Sequence, residues 1–435
     1  MAENIFEIPA VKTGIVYPET PGEKASLNPE QRLEETVRLA AAINLEVAFA
    51  EIVRLRQIRP DAYFGKGVIG RFREAAAAGG VELLIVDAAL TPIQQRNLEK
   101  ALDLKVIDRT ALILEIFGER AQTREGSLQV ELAHLTYQRS RLVRSWTHLE
   151  RQRGGAGFLG GPGETQIELD RRIIDDKIVR IRKELEKVKK TRELQRSARK
   201  RIPYPVVALV GYTNAGKSTL FNCLSSAGVF AENLLFATLD PTMRRIRLPG
   251  GREVILSDTV GFISDLPHEL IMSFRATLEE VLEADVIVHV RDIANENSLA
   301  QKKDVLNVLK SLGLKNIENE SGYIEVLNKI DLLDEAGRRY LEENAARNAN
   351  VVPLSAVSGE GTERFLRLVE DKLSASFRMV EVTTDAADGK LISWIYKNTD
   401  VISAAAKGEQ MILRLKADDA AISKLKNKTP VRTLG

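Results

Sequence analysis

The stretch Gly211-Tyr212-Thr213-Asn214-Ala215-Gly216-Lys217-Ser218 fits the pattern G-x-x-x-x-G-K-[ST] of a phosphate-binding loop. It directly follows the apolar run 206–210, and a stretch with helical character begins at Ser218. Such a loop needs this strand–loop–helix order, because its backbone N–H groups and the helix N-terminus then face the phosphates together. An ordinary glycine-rich turn is the plain alternative, and the motifs downstream argue against it.

Three further motifs follow in the order expected of a GTP-binding domain. They are Asp258-Thr259-Val260-Gly261, Asn328-Lys329-Ile330-Asp331 and Ser355-Ala356, each placed after an apolar run typical of a strand. The Asp331 carboxylate can accept two hydrogen bonds from the guanine ring, and leaving a buried carboxylate unpaired costs about 1–3 kcal/mol. Adenine lacks that donor pair. The sequence therefore predicts GTP, with ATP as the minor alternative.

Each motif residue has an expected role. Lys217 reaches the β and γ phosphates, while Gly261 leaves room for its backbone N–H near the γ phosphate. These two are the predicted catalytic residues. Ser218 and Thr238 are the predicted ligands of Mg²⁺. The residues predicted to bind the nucleotide, GTP or GDP, are Gly211, Asn214, Ala215, Gly216, Lys217, Ser218, Thr219, Thr238, Asp258, Gly261, Asn328, Lys329, Asp331, Ser355 and Ala356.

The switch threonine has two candidates. Thr238 follows the apolar pair 236–237, as in related GTPases, and we expect it rather than Thr242 to contact Mg²⁺. Either threonine could instead be a turn residue beside Asp240-Pro241.

Phe262 is a departure from GTPases that orient water with a glutamine directly after D-x-x-G. A phenyl ring cannot orient an attacking water by hydrogen bonding. We therefore expect hydrolysis to be slow until a partner completes the site. His268 or Glu269 could supply a polar group, although a solvated helix start is the stronger expectation for both.

Composition limits the class of protein. The chain has 435 residues, 44% apolar and 29% charged, with a net charge of +2, which predicts about two to four globular domains. The single cysteine, Cys223, excludes an internal disulfide framework and fits a reducing compartment. Neither a membrane-spanning apolar run nor a signal-peptide pattern is visible. We expect a cytoplasmic, monomeric protein.

Alternating strand and helix patterns predict an α/β fold class with four parts. An N-terminal α/β domain with a parallel sheet is expected over residues 1–120. A long helical hairpin over 121–204 has a glycine-rich tip, GGAGFLGGPG, at 154–163. The P-loop GTPase domain is expected over 205–376, and a small C-terminal α/β domain over 377–435, with Asp418 capping its last helix.

The second arm of the hairpin carries both an apolar seam and a basic excess. The seam residues, spaced 4-3-4-3, are Ile174, Ile178, Ile181, Leu185 and Val188. Residues 171–201 contain 14 Lys or Arg against five Asp or Glu, so the surface could bind RNA phosphates. A solvated helix face is the competing interpretation. Phe158 and Leu159 at the tip could stack on bases, or fold back onto a helix.

These motifs are similar to those of the HflX family of translational GTPases, which is related to the Obg-type proteins. The resemblance spans the N-terminal domain through the nucleotide domain, whereas the last sixty residues carry little of it. Phe262 fits the family pattern, but Arg291 stands where an apolar residue is expected. The segments that carry the resemblance are 94–98, 106–110, 153–166, 211–218, 236–242 and 258–262.

The resemblance implies binding to the large ribosomal subunit and its RNA in the GTP state, near the peptidyl-transferase region. It further implies the splitting or rescue of stalled ribosomes under stress, with GTP hydrolysis governing release. Two other classes stay open from the sequence. One is a GTP-dependent protein-binding adaptor, and the other a free-standing nucleotide hydrolase. Against the hydrolase, residues 1–120 show no catalytic cluster, and Gly65-Lys66-Gly67 is predicted to be a turn.

Overall fold

The computed structural model describes residues 10–20, 28–152, 166–199, 204–225, 242–264, 281–314, 316–374, 378–417 and 419–433. Within these ranges the strands form three sheets of four, six and four strands. No helix among the described residues has the length and apolar character needed to cross a bilayer. The predicted α/β fold class is confirmed, with a P-loop-type domain and a small antiparallel C-terminal sheet.

The first sheet is parallel, with strand order β2-β1-β3-β4. The chain continues from β1 to β2 on one side and from β3 to β4 on the other, so the connections after β1 and β3 run in opposite directions. Its strands are β1 Lys12–Glu19, β2 Glu46–Arg54, β3 Leu83–Val86 and β4 Lys105–Asp108. Its helices are α1 Pro29–Ala41, α2 Lys66–Gly79, α3 Pro92–Leu102 and α4 Arg109–Arg120.

Helix α2 corrects the prediction of a turn at Gly65-Lys66-Gly67. Gly65 is the N-cap residue, and the helix already begins at Lys66. The sequence did not predict the start of this helix, because glycine disfavours helical conformation and two glycines lie there. Burial of Ile69, Phe72 and Ala76, spaced three and four residues apart, holds the helix on the sheet.

Two long helices pack side by side, α5 Arg124–Gln152 and α6 Gln166–Arg199. The predicted seam is present from Ile174 to Leu185, because Ile178 and Ile181 of α6 are buried with Leu135 of α5. Partly buried apolar residues complete this cluster: Leu128, Leu132, Ile174 and Leu185. The glycine-rich tip, with Phe158 and Leu159, lies outside the described residues.

The six-stranded sheet has the order β10-β9-β8-β5-β7-β6, and β6 alone among them runs antiparallel to its neighbour. Its strands are β5 Val206–Gly211, β6 Thr242–Arg247, β7 Glu253–Asp258, β8 Val286–Asp292, β9 Tyr323–Asn328 and β10 Val351–Pro353. The helices are α7 Lys217–Ser225, α8 Ser298–Ser311, α9 Glu335–Arg347 and α10 Thr362–Ser374. Short 3₁₀ turns cover Ile317–Asn319 and Ile330–Leu332.

The C-terminal sheet is antiparallel, with the order β12-β13-β11-β14. Its core contains Val382, Ile395 and Leu413. Strands β12 and β14 were not expected from the sequence, and Asp418, the predicted cap, lies outside the described residues. The elements are β11 Arg378–Asp385, α11 Gly389–Asn398, β12 Asp400–Lys407, β13 Gln410–Ala417, α12 Asp419–Lys426 and β14 Val431–Thr433.

The first two sheets share one apolar core. A single cluster of buried side chains contains Ile15, Ile113 and Phe117 from the N-terminal part, together with Val260 and Phe262 from the segment after β7. Burial of this surface joins the two parts of the chain.

The α5–α6 seam can be tested at two adjacent positions. Ile178→Ala should lower the free energy of opening of α6 by about 2–5 kcal/mol, because it removes a buried side chain and leaves a cavity. Val179→Ala is the matched control, since Val179 is 50% exposed, and should change that free energy by less than about 0.5 kcal/mol. Native-state amide exchange over residues 174–185 measures both. Equal effects of the two substitutions would contradict the packing.

Candidate nucleotide site

The phosphate-loop stretch leaves β5 at Gly211 and enters α7 at Lys217. A Cβ at Gly211 would lie 2.2 Å from the carbonyl oxygen of Val290, and one at Gly216 would lie 2.1 Å from the side-chain nitrogen of Asn328. Asn214 and Gly216 also have positive φ angles of 60° and 91°, which favour glycine or asparagine. The chain thus needs these residue types to make the turn.

Lys217 is buried beneath this loop. Its Nζ donates to the carbonyl oxygens of Gly211 and Tyr212, at 3.1 and 2.9 Å. Burial lowers the pKa of Lys217 to about 8, against the opposing effect of Asp258. A bound phosphate would supply the missing counter-charge, since an opposite charge nearby favours the protonated amine.

Gly261 keeps the space above Lys217 open. A Cβ at Gly261 would lie 3.1 Å from Nζ of Lys217 and 2.8 Å from Cγ2 of Thr213. The buried hydroxyl of Thr213 has no hydrogen-bond partner within the described part of the chain. This site fits a phosphate group. The space beside Gly261 is too small for a side chain, the Lys217 ammonium is buried next to it, and the Thr213 hydroxyl is available to donate a hydrogen bond.

Ser218 and Asp258 meet where α7 begins and β7 ends. The Ser218 hydroxyl donates to Oδ2 of Asp258 at 2.7 Å, and Asp258 is fully buried. Mg²⁺ prefers one or two protein oxygens and completes its octahedron with phosphate and water, so this pair fits the ion. Thr238 lies outside the described residues, whereas Thr242 begins β6 and pairs with Asp258 in the ladder.

Asn328, at the end of β9, hydrogen-bonds to the phosphate loop and to the loop after β10. Its amide nitrogen donates to the carbonyl of Ala215 at 2.8 Å, and its amide oxygen accepts from the N–H of Ala356 at 3.0 Å. Lys329 follows with a positive φ of 69°, and its ammonium pairs with Asp292 at 2.7 Å. The structure therefore gives Asn328 a bracing role that its motif did not reveal.

Asp331 and Ser355 flank the far end of the site. Ser355 is buried, and its hydroxyl accepts from the N–H of Ser358 at 3.2 Å. Asp331 lies in the 3₁₀ turn after β9, and its side chain is exposed. The turn thus places Asp331 at the rim of the sheet, and its hydrogen bonds to guanine stay a prediction.

Phe262 links the two phosphate-proximal segments through its backbone. Its N–H donates to the carbonyl of Gly211 at 3.1 Å, and its carbonyl accepts from the N–H of Thr213 at 2.7 Å. The side chain is 1% exposed in the shared apolar core, where it can bind no water. His268 and Glu269 lie outside the described residues.

Arg291, unexplained by the sequence, is neutralised by its neighbours. Its guanidinium pairs with the buried Glu325 and donates to the Ser298 hydroxyl at 3.1 Å. Lys302 also pairs with Glu325, at 2.9 Å. Nearby His289 is buried, and burial lowers its pKa to about 3, so the ring is neutral.

Tyr212 was not selected from the sequence as a functional residue. Its hydroxyl bonds to Glu35 of α1 and lies 2.7 Å from the Ser264 hydroxyl. The second position of the motif G-x-x-x-x-G-K-[ST] is free to vary, so no sequence signal marked it.

Four family models match the chain in succession. They are described as "GTP-binding GTPase N-terminal", "GTP-binding GTPase Middle Region", "50S ribosome-binding GTPase" and "HflX C-terminal domain". The matched residues are 30–118, 120–199, 206–329 and 340–425 respectively. Together they cover most of the chain.

Among solved structures, a GTP-binding protein from Sulfolobus solfataricus in complex with GDP is 23% identical, with a TM-score of 0.44, over 84% of this chain and 99% of that one. Among curated relatives, GTPase HflX of Magnetococcus marinus is 48% identical over 86% of this chain and 85% of its own length. GTPase HflX of Escherichia coli is 42% identical over 84% of each. The chain belongs to the HflX family of GTPases, which use GTP and GDP with Mg²⁺.

Proposed function

We propose that this GTPase binds the large ribosomal subunit and its RNA in the GTP state, splits or rescues stalled ribosomes, and is released on GTP hydrolysis. The match of residues 206–329 to a family described as ribosome-binding supports this function. The observation that carries it is the basic surface of α6.

The basic surface of α6 consists of the eight cationic side chains between residues 171 and 190 that the structure describes as exposed. They outnumber the four acidic residues of the same segment, of which Asp176 and Glu186 are exposed. Several of the cations also form pairs along the helix, such as Arg180 with Glu184 at 3.9 Å. Exposed pairs of this kind are weak, so phosphates can compete for the arginines. The eight residues are Arg171, Arg172, Lys177, Arg180, Arg182, Lys183, Lys187 and Lys190.

In the nucleotide site we propose the roles expected from the motifs. Lys217 neutralises the β and γ phosphates, and Gly261 admits its own N–H to the γ phosphate. Mg²⁺, held by Ser218 and Thr238, would neutralise phosphate charge. The proposal also includes four domains, with boundaries near residues 120, 204 and 376.

Slow intrinsic hydrolysis is part of the same proposal. Phe262 occupies the position from which other GTPases orient water, and its side chain is buried in the shared core. A water-orienting group must therefore come from another part of the chain or from the partner. In the proposed mechanism the ribosome supplies or positions that group and so stimulates hydrolysis.

Ribosome pelleting tests the proposed switch. With a non-hydrolysable GTP analogue the chain should pellet with large subunits, and with GDP it should not. Arg182→Ala/Lys183→Ala should weaken binding and lower the slope of log affinity against log salt by about two, since two phosphate contacts are lost.

The matched control for the pelleting test is Arg339→Ala/Arg367→Ala. Both arginines are exposed, at 70% and 68%, on helices α9 and α10. The control should leave the salt slope unchanged. Equal pelleting in the GTP-analogue and GDP states at physiological salt would refute the switch, and equal slopes for both double variants would refute α6 as the RNA contact.

Guanine selection can be tested at Asp331. Asp331→Asn should weaken GTP binding by at least about tenfold and favour xanthine nucleotides, because an amide presents a donor where guanine also presents donors. Competition between GTP and XTP for a fluorescent nucleotide measures the change. Asp334→Asn is the control, since Asp334 caps α9 instead. Retained GTP preference in Asp331→Asn would contradict the assignment.

Protonation of Lys217 can be tested by proton linkage. In the nucleotide-free chain its pKa is about 8, and bound phosphate raises it. Above pH 8, GDP binding should therefore take up a proton, and affinity should fall as pH rises. Calorimetry near pH 9 in buffers of different ionisation enthalpy measures the uptake. Lys217→Arg stays protonated and should take up none, so equal uptake by both proteins would contradict the proposal.

A further inference from the structure

Tyr212 connects the phosphate loop to the N-terminal part of the chain. Its hydroxyl donates to the carboxylate of Glu35, which lies on α1. The same hydroxyl accepts the backbone N–H of Ser264 at 2.8 Å. Tyr212 is 4% exposed, and burial, followed by the charge of Glu35, raises the pKa of Tyr212 well above its usual value. The hydroxyl therefore keeps the proton it donates.

Ser264 is held through all three of its polar groups. Besides the N–H bond to Tyr212, its carbonyl accepts from Arg109 at 3.1 Å. Its hydroxyl donates to Asp304 of α8 at 2.9 Å. Ser264 follows Gly261 by three residues in the chain. A displacement of Gly261 would therefore strain bonds to two different parts of the molecule.

Arg109 and Glu35 belong to a buried cluster at the end of the first sheet. Arg109 pairs with Asp87 at 3.0 Å and with Glu35, and Arg32 pairs with Asp87 at 3.0 Å. Thr36 donates its hydroxyl to the same carboxylate at 2.8 Å. All five residues are buried. They fill the carboxyl edge between β1 and β3, which is the place where open α/β sheets usually bind ligands.

The apolar surroundings favour one docked arrangement. Phe262 and Ile263 lie in the same buried cluster as Ile113 and Phe117 of α4. Packed interiors change between discrete arrangements and do not deform continuously. The segment 261–264 therefore either keeps its contacts with the N-terminal part or loses several of them together.

We propose that Glu35 and Arg109 are positioning residues of the nucleotide site. They hold Tyr212 of the phosphate loop and the Ser264 peptide in one arrangement, so that docking of the N-terminal sheet and retention of nucleotide stabilise each other. The arrangement of residues at the carboxyl edge of the N-terminal sheet is thus coupled to nucleotide binding. This inference rests on the proposed assignment of residues 211–218 to the phosphates.

The first test compares GDP release from single and double variants. Glu35→Gln and Tyr212→Phe should each speed the dissociation of a fluorescent GDP by at least about fivefold, a typical size for coupling between sites. The double variant should be no faster than the faster single variant, since both substitutions break the same contact. Multiplying effects in the double variant would show that the residues act separately and would overturn the inference.

A matched control separates positioning from general destabilisation. Glu325→Gln also removes the charge of a buried ion pair, with Arg291, and in the described part of the chain the side-chain bonds of Glu325 go to Arg291 and Lys302 and not to residues 211–218. It should lower the thermal midpoint as Glu35→Gln does, yet leave GDP release within about twofold of the parent rate. GDP release from Glu35→Gln that is also within twofold of the parent would overturn the inference.

Coupling must also act in the reverse direction, because linkage is reciprocal. GDP should slow amide exchange in α4 of the parent chain and do so less in Tyr212→Phe.

Lys217→Ala distinguishes a failure of the phosphate-loop assignment from a failure of the positioning inference. If Lys217→Ala leaves GDP affinity unchanged, the phosphate-loop assignment fails. If Lys217→Ala weakens GDP binding, and the amide-exchange rate in α4 of the parent is the same with and without GDP, the positioning inference alone fails.

Discussion

A guanidinium buried between two sheets is the constraint on which the arrangement of the N-terminal and nucleotide parts depends. Arg109 can remain charged away from water only when carboxylates surround it, and Asp87 and Glu35 do so. Burial alone would raise the pKa of Asp87, yet Arg109 and Arg32 lower it. Removing one partner of such a pair typically costs about 3–5 kcal/mol. The Ser264 carbonyl, from the nucleotide domain, accepts a further hydrogen bond from Arg109, so the buried charge gains a partner in the docked arrangement.

The nucleotide site follows from the parallel direction of β5, β7, β9 and β10. Their carboxyl ends meet at one edge, which brings together motifs separated by more than a hundred residues of chain. Asn328 then braces Ala215 and Ala356 with one amide group. Phe262 belongs to the same edge but faces the shared apolar core. Phe262 thus contributes to the packing between the nucleotide part and the N-terminal sheet.

Local patterns predicted most elements and missed those that depend on distant partners. The seam of α6 was visible because a 4-3-4-3 spacing of apolar residues is a property of the helix itself. Strand β12 was not visible, since its run of alanines favours a helix and its pairing with β13 decides the outcome. Helix α2 was hidden by glycines at its start. Arg291 looked anomalous until Glu325, on the neighbouring strand β9, was seen to neutralise it.

The sequence by itself determined that the chain binds a guanine nucleotide and belongs to the HflX family, because the phosphate-loop motif 211–218 and the motifs 258–261 and 328–331 are each short runs of contiguous residues. Tertiary structure alone decided that Asn328 connects Ala215 with Ala356 and that Tyr212 contacts Glu35. These features join residues far apart in the chain, 177 positions in the case of Tyr212 and Glu35. Their energies arise from burial and from matched charge, which exist only once the two sheets have packed together.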